Sequence, residues 1–282
     1  MHPVLSVQSR VAAGHVGNSA AVFCLERMGI DVWGVDTLSF SNHPGHRKFK
    51  GEIRSPAQVK EILDGIDDCF GLHNASAFLS GYLGCSETGI VVLEALEKAR
   101  RLNPDILYCC DPVMGDKGRV YVAKDIPQTM RERLVAQADI ITPNHFELEL
   151  LSQSRITGFE EAVGAARRLM DSGRLKQVLV TGMETADEIS VLSISGQDVF
   201  CVSTPKADFS NTLFGTGDIL TSIFLGKYLL SSRIDEALSF AVSALYGMIR
   251  AAQVSGGSAP ALIEAQRELE TPSEMFECRR LF

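Results

Sequence analysis

Aromatic residues are scarce in this chain: they make up 7% of its 282 positions, and Trp33 is the single tryptophan. Surfaces that read sugars or stack on exposed bases draw on such rings, so the composition counts against both. Concentrated positive charge is missing as well. The formal net charge is −8, and Lys and Arg occur in short pairs such as Arg100-Arg101 and Arg279-Arg280. Without a basic face a protein cannot displace counterions from a nucleic-acid backbone, which excludes nucleic acid as a partner. ATP is a different matter, because backbone amides and a divalent cation can handle its phosphates locally.

Disulfide and targeting patterns are absent too. The seven cysteines, Cys24, Cys69, Cys85, Cys109, Cys110, Cys201 and Cys278, are odd in number and form no C-x-x-C. Cys109 and Cys110 lie in an apolar run, where the thiol acts as a small buried hydrophobe, so a reduced, cytoplasmic protein is expected. The opening MHPVLSVQS has neither a basic nor a long apolar segment. No apolar run approaches the roughly 20 residues of a membrane helix, so no membrane partner is expected. Neither G-x-G-x-x-G nor a Walker P-loop occurs, and any nucleotide must be held by other means.

What the chain does have is a core-forming composition, 45% apolar and 22% charged, and a regular alternation of short β-rich runs with helix-patterned segments. Strands are expected at 4–9, 31–38, 75–81, 105–113, 138–144 and 177–182, and an antiparallel pair within 188–203 turning at Ser195-Gly196-Gln197. Helices are expected at 18–28, 56–66, 86–101, 159–172, 218–230 and 234–251, with Ser55 as N-cap and Pro56 as first residue of the second. Strand–helix alternation implies an α/β fold, a three-layer α/β/α sandwich with a mostly parallel central sheet and an antiparallel edge. With no repeat, low-complexity tract or linker, residues 1–282 read as one domain.

Ligands of such sheets bind at the carboxyl ends of the strands, and the polar, glycine-rich clusters fall there. The central one is Gly215-Thr216-Gly217-Asp218, opening the apolar segment DILTSIFLGKYLL. Glycine amides and a helix N-terminus make an anion hole, Thr216 adds a hydroxyl, and Asp218 is placed to take a proton from an attacking alcohol. Taken alone, this is also what a glycine turn with an early helical Asp looks like. Asp111, in DPVMGD at a strand tip, is a candidate for Mg²⁺ beside ATP oxygens, held through water. Asp116 reads as a turn residue. Glu147, in TPNHFE at the start of a helix, is the second acidic candidate, while His145 reads as packing.

At the N-terminal end, Ser9 and Gly14 to Ser19, with Val16, form a candidate substrate floor, the Ser9 hydroxyl meeting a ring nitrogen; Asn18 or Ser19 is equally suited to capping. Phe40 to Gly45, with His43, Pro44 and Gly45, and Ser80 to Gly84 are candidate walls, Tyr82 being able to stack on a flat heterocycle.

Together, SVQSRVAAGHVGNSAA, FSNHPG, LSGYLG, CDPVMGD, ADIITPNHFELELL and FGTGD resemble, in order and over most of the chain, the pyridoxal kinase family of the ribokinase-like superfamily. The resemblance implies ATP-dependent phosphorylation of pyridoxal at its 5′-hydroxyl, with Asp218 as base. Ser9 resembles the residue at the pyridine nitrogen and Tyr82 a ring neighbour. Asp111 and Glu147 match the acidic residues near Mg·ATP, and Thr142, Asn144 and Thr181 match nucleotide-side positions. Thr204, Pro205, Lys206 and Ala207 fall in the segment over the nucleotide, followed by the familiar Asp208-Phe209, and Tyr121 matches a phosphate-side tyrosine of some members. A homodimer and a monovalent cation are further implications. Pro44 stands where many members have threonine, and the 115–121 loop is shorter than in animal-type members. Two alternatives stand beside this reading: a hydroxymethylpyrimidine kinase, and a non-catalytic B6-binding protein on the same scaffold.

Overall fold

The computed structural model describes residues 2–46, 48–171, 173–207, 213–256 and 259–281. Its strands are β1 Val4–Ala13, β2 Val32–Asn42, β3 Gly51–Ile53, β4 Ala77–Ser80, β5 Leu107–Cys110, β6 Gly115–Asp116, β7 Arg119–Val120, β8 Ile140–Ile141, β9 Gln177–Glu184, β10 Glu188–Ile194, β11 Val199–Pro205 and β12 Arg279–Arg280. The helices are α1 Asn18–Arg27, α2 Pro56–Phe70, α3 Ser86–Leu102, α4 Ile126–Thr129, α5 Val135–Gln137, α6 His145–Ser152, α7 Phe159–Met170, α8 Thr216–Ser231 and α9 Ile234–Ser255. A π-helical turn, Met130–Leu134, joins α4 to α5.

Ten strands form one sheet in the order β12-β11-β10-β9-β8-β5-β4-β1-β2-β3. Its middle, from β9 to β2, is parallel. Antiparallel strands extend both sides, whereas the sequence points to one such edge. β1 lies between β2 and β4, so the chain leaves it first to one side and then to the other. That reversal opens a crevice at the carboxyl ends, where ligands of open α/β sheets bind.

Period-two alternation sorts the side chains into two cores. Leu5, Val7, Phe78, Tyr108, Ile141, Val178 and Val180 face α2, α3, α6 and α7. Val4, Ala77, Leu79, Cys109, Ile140 and Leu179 face α1, α8 and α9. Helices on both faces of the sheet make the three layers.

Local chemistry sets several helix starts. Ser55 caps α2 in a reciprocal capping box with Gln58, and Pro56 is its first residue. Asn144 and Glu147 form the same device at α6. The apolar α8 is buried from Ile219 to Gly226, with Gly226 close against Leu25 and Met28 on α1.

Some expectations are corrected. The strand expected over 138–144 is regular only at Ile140–Ile141, with an isolated bridge from Asn144 to Thr181, and that over 105–113 only at Leu107–Cys110. The helix expected to reach Ser172 ends at Met170; Ser172 lies outside the described residues. Contrary to the sequence reading, Ile234–Val254 is long and apolar enough by length and composition to cross a membrane. Half of it is buried in the protein, and Ala237, Leu238, Ala241, Ala244 and Met248 belong to the α1/α8 core.

Candidate active site

The carboxyl ends of β1, β4, β5, β8 and β9 and the start of α8 bring most of the expected residues to one crevice. β1 slips register against β2 between Gln8 and Arg10, placing Ser9 at a bulge. Bulges of this kind re-aim a side chain out of the ladder's alternation. Gly17, with φ at +52°, follows as the residue before α1. A Cβ on Gly17 would collide with the Ser9 carbonyl and hydroxyl oxygens, so only glycine fits. One on Gly215, at φ +85°, would collide with the His15 carbonyl. The 14–17 loop and the GTGD turn therefore touch backbone to backbone.

Behind this loop lies a buried polar chain. Asn18 donates to the Val35 carbonyl at 3.0 Å and to Asp36 Oδ1 at 2.9 Å, and accepts from the Ser6 hydroxyl at 2.8 Å. Gln8 Nε2 donates to the Ser6 hydroxyl at 3.0 Å. The sequence suggested capping for Asn18; its side chain instead ties β1, β2 and α1 together.

Asp218 lies in the first turn of α8. Burial pushes its carboxyl up to about 6, and the Gly17 backbone amide pulls the other way. Asp111, buried just past β5, is raised above the ordinary carboxylate range by burial, then by the negative fields of Glu147 and Asp218, while a hydrogen bond with Thr142 opposes this. Glu147 is pushed up to about 7 by burial, against three backbone donors: Asn144 N at 2.9 Å, Met114 N at 2.9 Å and Gly115 N at 3.4 Å. One carboxylate thus closes the capping box of α6 and clamps the loop after β5.

Among the described residues, no ion pair neutralises any of these three carboxylates, and no cluster of three His, Cys, Asp or Glu side chains forms a metal cage. Hard oxygen donors without a cationic partner fit a divalent cation that keeps its waters and is held chiefly by phosphate oxygens.

The nucleotide-side candidates divide. Thr142 accepts from the Thr221 hydroxyl at 2.9 Å, joining the end of β8 to α8. Asn144 spends its amide on the Gly115 carbonyl at 2.8 Å, and the Thr181 N–H donates to the Pro143 carbonyl at 3.0 Å. The Tyr121 phenol is raised by burial and by Glu147, Asp111 and Asp218, which places it in the field of the acidic group. Thr204 and Pro205 pair with Ile189 and Glu188 in β10, and Lys206 bonds Glu184 at 2.8 Å. Among the described residues, no hydrogen bond or ion pair joins 204–207 to the three carboxylates. Asp208 and Phe209 lie outside the described residues.

On the substrate side, Val16 is buried and the Tyr82 ring is half-buried, its carbonyl accepting from the Thr37 hydroxyl at 2.7 Å. Pro44 and Gly45 belong to a short 3-10 turn, and His43 Nδ1 accepts from the Gly45 N–H at 3.1 Å. His145, read as packing, has its ring nitrogen on the Ile156 carbonyl at 2.8 Å. Sequence reasoning missed the Gly17 amide beside Asp218, Thr221, and Phe214 against the 43–46 turn. The sharpest available signal was glycine immediately before the first residue of a helix.

Known proteins are similar to this chain over most or all of its length. The family model described as phosphomethylpyrimidine kinase matches residues 54–261. Pyridoxal kinase PdxY of Rubrobacter xylanophilus is 40% identical over 99% of this chain and 97% of its own length. The Deinococcus radiodurans protein of the same name is 38% identical, over 99% and 96%. Among solved structures, pyridoxal kinase from Entamoeba histolytica superposes with a TM-score of 0.92 at 25% identity, covering 99% of both chains. Pyridoxal kinase from Leishmania donovani in complex with ADP and pyridoxine gives 0.89 at 29%, again covering 99% of both.

Proposed function

The chain belongs to the pyridoxal kinases, and on that footing we propose that it transfers the γ-phosphoryl group of ATP to the 5′-hydroxyl of pyridoxal. Its fold is the ribokinase-like α/β/α sandwich of that family. The observation that carries the reading is the close approach of the 14–17 loop of the substrate floor to the GTGD turn, where a Cβ on Gly215 would collide with the His15 carbonyl, beside Asp218, Asp111 and Glu147. A non-catalytic B6 binder has no need of a carboxylate so placed.

In this reading Asp218 removes the proton from the 5′-hydroxyl as its oxygen attacks the γ-phosphorus. The bond between that phosphorus and the β,γ-bridging oxygen breaks, and ADP leaves. The Gly215, Thr216 and Gly217 amides at the start of α8 face the migrating group, with the Thr216 hydroxyl beside them. Ser9 meets the pyridine nitrogen, and Val16, His43, Pro44, Gly45 and Tyr82 enclose the ring. Asp111 and Glu147 would hold Mg²⁺ through water, and an ion there would supply neutralisation of charge on the phosphate oxygens. Thr142, Asn144 and Thr181 line the nucleotide side with Tyr121, and Thr204 to Ala207 run over the nucleotide. A monovalent cation, a homodimer, a cytoplasmic location and a single domain over 1–282 complete the reading.

The test is turnover of pyridoxal, pyridoxine, pyridoxamine and hydroxymethylpyrimidine with Mg·ATP. The expected result is ATP-dependent formation of pyridoxal 5′-phosphate with the highest kcat/KM for pyridoxal. Preference for hydroxymethylpyrimidine, or ligand binding without turnover, would overturn it.

A further inference from the structure

Phe214, the residue before the anion hole, is gripped by a segment remote from it in sequence. Its ring stacks on the His43 imidazole, with centroids 4.2 Å apart and planes inclined by 29°. The His46 ring meets it nearly edge-on, with centroids 5.3 Å apart and an inclination of 68°. Gly45 lies so close that a Cβ there would collide with the Phe214 Cζ and Cε1 atoms. The ring is thus stacked on one side and met edge-to-face on the other. Burial also holds the His43 imidazole below its ordinary range, so the stacked ring is neutral near pH 7.

We propose that Phe214 is a specificity-determining residue, closing the substrate pocket where the 43–46 turn meets the anion hole. The inference rests on the pyridoxal kinase reading for the identity of the ring that it encloses. An alcohol that reaches Asp218 must carry its ring past residue 214, because Phe214 immediately precedes the Gly215 turn that leads into Asp218. Across from it, Pro44 offers no N–H and no side-chain donor, and Gly45 no side chain at all. The wall is therefore aromatic and selects by shape and stacking. The clamp sets its position: with His43 and His46 on the ring, Phe214 cannot swing without displacing the 43–46 turn.

Steady-state kinetics of Phe214→Ala, Phe214→Tyr and Gly45→Ala test this. Phe214→Ala should raise the KM for pyridoxal about tenfold, the effect of one lost aromatic contact, with KM for ATP inside about twofold and kcat inside about threefold. Phe214→Tyr should restore most of the affinity. Gly45→Ala, which drives the turn off the ring, should raise the same KM, and the double variant should be no worse than Phe214→Ala alone. A pyridoxal KM within about twofold of wild type in Phe214→Ala overturns the proposal, as does a parallel rise in KM for ATP or a loss confined to kcat. Should Phe214→Ala not fold, an unchanged pyridoxal KM in Gly45→Ala overturns it alone. Failure of the wild-type protein to phosphorylate pyridoxal overturns the functional reading instead. The variant-to-wild-type ratios are then read on hydroxymethylpyrimidine, so the two failures stay distinguishable.

Discussion

The backbone amide of Gly17 lies against the carboxylate of Asp218 and favours its ionised form. Two segments about 200 residues apart in the chain thus meet at the proposed proton acceptor. Burial opposes the amide, and burial dominates.

Replacing Asp218 by Asn keeps the shape of the site and removes the proposed base. The expected outcome is a fall in kcat of about 10²- to 10⁴-fold, with pyridoxal and ATP still bound. Single-turnover assays and equilibrium titration of each ligand check it. Near wild-type turnover would remove Asp218 from the role of base.

The pH dependence follows from the same group. Its carboxyl sits at about 6 in the folded protein, above the roughly 3.9 of an unfolded Asp. As a base it must be ionised, so kcat/KM should level off above pH 6 and drop about tenfold for each unit below it. Stability responds with the opposite sign. Between those two values the folded state holds a proton that the unfolded chain has released, so this group's contribution improves as pH falls and worsens as pH rises. Urea midpoints beside a kcat/KM profile from pH 5 to 8, for wild type and Asp218→Asn, separate the two. An acid limb centred well away from 6 would contradict the assignment.

Gly17→Ala probes the meeting point directly. Alanine at φ +52° costs about 1–2 kcal/mol in backbone strain alone, and its Cβ collides with Ser9. Relief of that collision must move Ser9 or the Gly17 amide. Both kcat/KM for pyridoxal and the urea midpoint should fall, kcat/KM by about tenfold or more. A variant with wild-type kinetics would show that this contact is dispensable.

A control comes from the opposite end of the sheet. Asp139, just before β8, bonds Arg100 at 2.5 Å, Arg174 at 2.9 Å and the Tyr108 amide at 2.9 Å. Asp139→Ala leaves a largely buried guanidinium without its partner and should destabilise folding by about 3–5 kcal/mol. Because the cluster lies at the amino ends of β5 and β8, KM values of the folded fraction should stay inside about twofold of wild type. Denaturant titration and kinetics below the unfolding midpoint check both halves.

How far the sequence could be read depended on whether a feature is local. Ser55 and Pro56 announce α2, and the capping box of Asn144 and Glu147 is visible in TPNHFE, because each involves residues within one turn. Asp111, Glu147 and Asp218 could be grouped because each follows an apolar strand or opens an apolar helix. β3 left no trace, since all of Gly51, Glu52 and Ile53 are exposed and show no alternation. The hairpin of β6 and β7 rests on two-residue strands with Lys117 and Gly118 at positive φ, too short for a periodic signal. The meeting of Gly17 with Asp218 was illegible for another reason: it is made by a backbone amide, and about 200 residues separate the two. Phe214 was quoted as part of a motif, but its ring partners come from the 43–46 turn.

The placing of β1 and α8 also bears on how the protein is made. Synthesis releases β1 and the 14–17 loop first, yet the helix that gives the loop its partner emerges near the end of the chain. A nascent polypeptide that has emerged through β9 already carries Asp111, just past β5, and Glu147, in the first turn of α6. It still lacks Asp218, the proposed proton acceptor, and the amides before it. A truncated product released before α8 would therefore be catalytically silent, so competence arrives with the completed chain.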